Sequence, residues 1–158
     1  MTASEARLNE LVDRLKERGC RLTPQRVAVL KVLVSNHEHP TVEQVYERVK
    51  ADFPMTSLAT VYKTVALLKE MGEVLELNFG DDCNRYDANR PYPHAHLVCT
   101  RCKRIVDLDV APLDGLSQEV AQDTGYLILS QRLDFFGICP QCQGEEEQTQ
   151  QHKEKRPC

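Results

Sequence analysis

His94-Ala95-His96-Leu97-Val98-Cys99-Thr100-Arg101-Cys102 packs two histidines and two cysteines into nine residues, ligand types that suit two chemically different metals. In a strand, side chains two apart share a face, so His94 and His96 are expected to point toward one site. Cys99 and Cys102 are expected to leave that strand on a tight turn. A Cys-x-x-Cys knuckle sets two thiolates on one side of a turn, which is half of a tetrahedral zinc site. Cys139-Pro140-Gln141-Cys142 repeats the spacing and supplies the other half. Two knuckles predict a structural Zn2+ on Cys99, Cys102, Cys139 and Cys142. The competing reading, a pair of redox-active dithiols, lacks a thioredoxin-like strand-helix context around either knuckle.

Working outward, a chain of 158 residues fits one domain or two small ones, either of them marginal on apolar burial alone. Metal staples answer that shortage. Seven cysteines would suit a secreted disulfide framework, but Met1 to Leu15 has no signal-peptide apolar core, and the knuckle spacing favours thiolates on metal. No apolar run is long enough to span a bilayer, so a cytoplasmic protein with no membrane partner is expected. The net charge of −4 excludes a generically basic nucleic-acid binder. Its distribution is uneven: residues 1–72 carry 11 Lys and Arg against 9 Asp and Glu, and residues 73–158 carry 9 against 15. Only the first part suits DNA electrostatically, and so small a bias calls for specific geometry and a dimer.

Leu8, Leu11, Val12 and Leu15 at helical spacing predict a helix over 5–18, with Gly19 as its stop. Thr23-Pro24 reads as an N-cap followed by a first-turn proline, opening a helix to about Asn36. Thr41 with Gln44 forms a capping-box pattern for a third helix ending before Pro54. Ser57 caps a fourth, to about Met71, whose buried stripe is expected to be Leu58, Val61, Val65 and Leu68. On its other side lie Ala59, Thr60, Lys63 and Leu67, with Tyr62 at the boundary. Small, hydroxyl and basic groups suit a DNA major groove; an isolated helix with such a face would more simply be solvated. The context decides, because strands at 74–79 and 83–87 flank the turn Gly80-Asp81-Asp82. Helices followed by a hairpin give the winged helix-turn-helix order, with Arg85 on the wing placed to touch phosphate.

The fold class is therefore α+β. A winged-helix DNA-binding domain occupies 1–87 and a breaker-rich hinge 88–93. A small dimerisation and metal-binding domain occupies 94–142, and a disordered, apolar-poor tail 143–158. The second domain is expected to hold strands at 94–98, 105–108 and 126–135 and a helix over about 112–123. It is small enough that pairing with a second copy, a homodimer, is expected.

Outside the cysteines the candidate ligands are His37, His39, Asp87, His94, His96 and Asp107. Imidazole and carboxylate without thiolate favour Fe2+, Mn2+ or Zn2+, and a five-ligand set favours the first two. His37 has no partner at ligand spacing and reads as an ordinary surface residue. A metal bound by His39, Asp87, His94, His96 and Asp107 would join the two domains and fix their angle. Two recognition helices then meet successive major-groove faces about 34–36 Å apart.

Taken in order, Thr23-Pro24-Gln25-Arg26, His39-Pro40-Thr41, Ala59-Thr60-Val61-Tyr62-Lys63-Thr64, the histidine-cysteine stretch and Cys139-Pro140-Gln141-Cys142 resemble the ferric uptake regulator family, over residues 5 to 142. The resemblance implies a homodimeric bacterial repressor of double-stranded operator DNA. It implies a structural zinc and a regulatory Fe2+ or Mn2+ between the domains. The chain looks most like the peroxide-sensing branch: iron-responsive members typically place glutamates where it has Asp87 and Asp107. The positions that in those members carry ligands interleaved with the histidine pair are here Pro93 and Ala95. In peroxide-sensing relatives, peroxide reacts at bound iron and oxidises a ligand histidine, which by position is His39 or His94. The alternative is an iron or other metal homeostasis repressor on the same scaffold. DNA contacts are assigned to Ser57, Ala59, Thr60, Tyr62, Lys63 and Arg85, and no small-molecule substrate other than peroxide is expected.

Two other classes compete. A mononuclear non-haem metalloenzyme also uses two histidines and a carboxylate, but no nucleophile or general-base motif accompanies them. A thiol sensor would use Cys20, Cys83 or Cys158, each isolated in sequence and so read as a buried or free thiol.

Overall fold

A computed structural model of the chain describes residues 2–80, 83–109 and 114–144, the side chain of Asp114 apart. It divides into two compact units, Met1–Tyr92 and Pro93–Cys158.

The first unit is built on four capped helices, α1 Ala3–Glu17, α2 Pro24–Ser35, α3 Val42–Asp52 and α4 Leu58–Glu70. Each begins where a hydroxyl can accept an orphan first-turn N–H. Thr23 accepts from Arg26 and Ser57 from Thr60, while Thr2 with Glu5 and Thr41 with Gln44 close reciprocal capping boxes. At the far end of α4, Gly72 turns into the left-handed region (φ +71°), which lets the Glu73 N–H reach back to the Leu68 carbonyl at 2.8 Å. The strands β1 Leu75–Leu77 and β2 Arg85–Asp87 pair antiparallel, Leu75 opposite Asp87 and Leu77 opposite Arg85. They are shorter than the runs 74–79 and 83–87 expected for the wing, and residues 81–82 of the expected turn lie outside the described residues.

One apolar cluster joins these elements: Leu11 and Leu15 from α1, Val29, Leu30, Leu33 and Val34 from α2, Val42, Val45 and Val49 from α3, Val61, Val65 and Leu68 from α4. Val74, Tyr86 and Ala88 extend it under the wing. Ala88, read from sequence as the start of the hinge, is thus fully buried in the first unit. The stripe of α4 needs one correction. Leu58 stands 37% exposed in the first turn, and the fourth buried position is Thr64, whose hydroxyl donates to the Thr60 carbonyl at 2.8 Å. That internal bond removes most of the cost of burying a hydroxyl. Buried Glu73 is held by Arg7 at 3.0 Å and by Arg14, while Arg7 Nε donates to the Ala88 carbonyl at 2.8 Å. Helix α1 is thereby tied to both ends of the wing.

The second unit has a three-stranded sheet in the order β4-β3-β5, from β3 Ala95–Cys99, β4 Ile105–Leu108 and β5 Asp134–Gly137, and a helix α5 Asp114–Thr124. Strand β4 runs antiparallel to β3, and β5 runs parallel to it. The expected strand over 126–135 is a misreading. Tyr126, Leu127, Ile128 and Leu129 form a short apolar run, as a strand would, but Tyr126, Leu127 and Leu129 stand 74%, 84% and 88% exposed in irregular chain, and of this region only Asp134–Gly137 pair with β3. The expected helix start at Pro112 and most of the expected tail, including Cys158, lie outside the described residues.

Candidate metal centres and nucleic-acid face

The four cysteines converge within the second unit, their sulfur atoms all within 4.8 Å of one another. The first knuckle closes because Lys103 adopts φ +62°, so that its N–H reaches the Cys99 carbonyl at 3.0 Å, while Cys99 N–H donates to Arg104 O at 2.9 Å. The second knuckle opens a helical turn, Gln143 N–H to Cys139 O at 3.0 Å. Thr100 N–H on the Gly137 carbonyl, at 2.8 Å, holds the two together. Cys102 Sγ and Cys139 Sγ stand 3.7 Å apart, which matches the edge of about 3.8 Å expected of a zinc tetrahedron with Zn–S near 2.3 Å. N–H donors from Cys139 and Cys102 pull the Cys99 thiol down to about 6, whereas the other thiols, Cys139 foremost, push Cys142 up to about 12. A divalent cation between sulfurs this close stabilises them as thiolate ligands. The cluster fits a structural zinc site.

The histidines and carboxylates form two sets, one in each unit. In the first, His39 is buried and held at φ +54°, a backbone conformation that L side chains rarely adopt. Its Nε2 lies 3.5 Å from Asp87 Oδ2. Tyr86 N–H on the Pro40 carbonyl, at 3.1 Å, brings β2 against this loop. The other Asp87 oxygen accepts from the Asn89 and Arg90 N–H groups at 2.8 and 3.1 Å, so Oδ2 is the one turned to His39. Burial pushes the Asp87 carboxyl up, yet His39 and those two N–H donors outweigh it and hold it below its ordinary value.

In the second unit, β3 and β4 set His96 directly opposite Asp107. His94 Nε2 and His96 Nε2 lie 3.2 and 3.8 Å from the same Asp107 oxygen, and the two rings are 4.3 Å apart. A neutral imidazole nitrogen facing a carboxylate oxygen brings two lone pairs together, so a proton or a cation must lie between them. Nitrogen and oxygen donors without sulfur fit Fe2+ or Mn2+ better than a thiophilic ion. His37 is exposed and belongs to neither set. Asp134, which carried no signal in the sequence, stands 3.3 Å from Nδ1 of His96.

On α4, Ala59, Tyr62 and Lys63 are exposed, as is Ser57 at its cap, while Thr60 is half-buried. The Ser57 and Thr60 hydroxyls lie 2.9 Å apart. Tyr62, assigned to the DNA-contacting set, donates its hydroxyl to Glu43 on α3 at 2.7 Å, which lowers the Glu43 carboxyl. Arg85 is half-buried on β2. Of the isolated thiols, Cys20 is half-buried beside the core and Cys83 exposed. No helix among the described residues is long and apolar enough to cross a membrane.

The model of the ferric uptake regulator family matches residues 17–136. The peroxide-responsive repressor PerR of Staphylococcus aureus is 36% identical over 139 residues, covering 88% of this chain and 93% of its own length. Among solved structures, the Campylobacter jejuni peroxide stress regulator has a TM-score of 0.65 at 33% identity, covering 85% of this chain and 98% of its own. A zinc-bound manganese uptake regulator has a TM-score of 0.66 at 29% identity, covering 84% and 98%.

Proposed function

The chain belongs to the ferric uptake regulator family, and from that premise we propose that this metal-dependent repressor answers to hydrogen peroxide. Its family relatives are transcriptional regulators, so the metalloenzyme reading falls away. In the proposal, His39 and Asp87 from the first unit and His94, His96 and Asp107 from the second hold one exchangeable Fe2+ or Mn2+. Residues 88–93, anchored at Ala88 in the first unit's core, are the hinge that this ion stiffens. Residues 94–142 pair with a second copy, placing two α4 helices on successive turns of operator DNA in the cytoplasm, with Ser57, Ala59, Thr60, Tyr62, Lys63 and Arg85 at the duplex.

Bound Fe2+ would supply the reaction of peroxide with a ligand imidazole: one oxygen atom of H2O2 enters the ring of His39 or His94, and the other leaves as water. The ligand residues turn that damage into a signal. An oxygenated imidazole is a poorer ligand, the hinge loses its stiffening, and the two DNA-reading units no longer keep the operator spacing. The observation that carries the reading is the choice of aspartate at both carboxylate positions, Asp87 at 3.5 Å from His39 and Asp107 at 3.2 Å from His94, as the peroxide-sensing branch typically has. The likeness to the peroxide-responsive repressor of S. aureus supports it.

The test loads the zinc-containing protein with Fe2+ or with Mn2+, adds micromolar peroxide, and tracks operator binding and the masses of the peptides bearing His39 and His94. The iron form should lose DNA and gain one oxygen atom on one of those peptides, while the manganese form stays bound. An iron form that keeps both its DNA and its mass would leave a metal-homeostasis repressor, the second reading, which the likeness to the manganese uptake regulator favours.

A further inference from the structure

Strand β5 lies parallel to β3 with Asp134 beside His96, and the His96 N–H donates to the Leu133 carbonyl at 3.1 Å, which pins that register. Neighbouring residues in register share a face of the sheet. The Asp134 carboxylate stands at the Nδ1 edge of the imidazole, 3.3 Å away, whereas Asp107 stands at the Nε2 edge, 3.8 Å away. The Asp134 contact is the more sheltered, His96 being 1% and Asp134 12% exposed at the side chain against 25% for Asp107. The other Asp134 oxygen accepts from Arg132 Nε, so the carboxylate is itself held in orientation.

We propose that Asp134 is a positioning residue that fixes the ring and the tautomer of His96 and thereby prepares Nε2 as a metal donor. The inference rests on the reading of His96 as a regulatory-metal ligand. A neutral imidazole carries one N–H. Both ring nitrogens of His96 face a carboxylate, and the closer contact, Asp134 at 3.3 Å against Asp107 at 3.8 Å, is the one that keeps it. With the proton on Nδ1 toward Asp134, the Nε2 lone pair is directed to the side where His94 and Asp107 stand. The nearby negative charge also makes Nε2 a stronger base, as carboxylates behind ligand histidines do in metal sites generally. Asp134 is not a further ligand to the same ion, because the two ring nitrogens diverge and it lies at the one turned away from Asp107. Nor is it merely half of a surface pair with Arg132. That guanidinium is 44% exposed and would add little, whereas the His96 contact is buried.

The test compares wild type with Asp134→Ala, Asp134→Asn and His96→Ala, each with zinc in place. Three readouts are measured: Mn2+ affinity by electron paramagnetic resonance titration, the His96 ring-nitrogen shifts by NMR without Mn2+, and zinc content. Asp134→Ala should weaken Mn2+ binding by about 10–100-fold and let His96 exchange between tautomers. Asp134→Asn, which keeps an acceptor but no charge, should hold the tautomer and recover part of the affinity. Zinc content should stay at the wild-type value in all of them. Wild-type Mn2+ affinity in Asp134→Ala, with binding lost in His96→Ala, overturns the positioning role and leaves the site reading intact. Undiminished binding in His96→Ala overturns the site reading itself. If Asp134→Ala fails to fold, Asp134→Asn decides: a wild-type tautomer with weakened Mn2+ binding supports the proposal, and unchanged affinity sinks it.

Discussion

The two units solve the problem of staying folded in opposite ways. In the first, large apolar side chains from all four helices meet in one cluster, and Leu11, Leu15, Leu30, Leu33 and Leu68 are fully buried. Among the described residues of the second, the buried apolar side chains are Ala95, Val98, Cys99, Ile105 and Cys142, while Leu127, Leu129, Phe135 and Phe136 face outward. Burial contributes about 1.5–3 kcal/mol for each large side chain taken from water, so the first unit has a sufficient internal source of stability. The second does not. What it has instead is a four-sulfur cluster, with two of the few apolar residues it buries among the ligands. An apolar core stabilises under any metal supply, while a metal-stapled fold inherits the chemistry of its thiolates.

The largest effect that would break this contrast is removal of the structural zinc. Structural Zn2+ contributes on the order of 10–16 kcal/mol in small domains, more than the second unit's apolar burial supplies. Chelation under reducing conditions, or Cys99→Ser, should remove the second unit's share of the β-sheet signal and the proposed dimer while the helical signal of the first unit survives, read by circular dichroism and sedimentation. Lowering the pH should act in the same direction, since protons compete for the thiolates and zinc binding releases them. Retention of the dimer by a zinc-free protein would show that the second unit has a core of its own.

The converse experiment strikes the first unit alone. Leu30→Ala empties a fully buried position of α2, and such a cavity costs about 2–5 kcal/mol. Thermal unfolding should show the helical transition lowered, with zinc content and dimerisation unchanged. Loss of zinc in Leu30→Ala would mean that the two units unfold together.

The same contrast governs what the sequence could reveal. Helices α1 to α4 were legible because their signals are local: caps at Thr23, Thr41 and Ser57, and glycines at the ends of α1 and α4. The cysteine cluster was legible because its spacing carries the geometry of a tetrahedron. The stretch 126–135 misled because an apolar run forms a strand only where another strand is there to pair with, and of this region only Asp134–Gly137 pair with β3. Leu58 misled in a smaller way, since the apolar stripe of α4 is covered only beyond its first turn, and Thr64 takes the remaining place by bonding to Thr60. Asp134 could not be found from ligand spacing at all. Its closeness to His96 is set by the register of two strands distant in sequence, and register is a tertiary property.

Lys63 carries the smallest expected effect on the fold and sharpens the comparison from outside. It is exposed on α4, so Lys63→Ala should change stability by less than about 0.5 kcal/mol and leave zinc, Mn2+ affinity and the dimer untouched. Its effect should appear in operator binding. If the amine neutralises a phosphate, the slope of log K against log salt should fall by about 1 for each lysine removed, uniformly across operator sequences. A net charge of −4 makes that slope informative, because an overall acidic chain attracts DNA less through non-specific charge that would mask the loss of one contact. An unchanged slope would move the DNA-reading surface away from the exposed face of α4. A changed Mn2+ affinity would instead show that this surface and the histidine ligands respond to each other without DNA, and that the first unit is less self-sufficient than its core suggests.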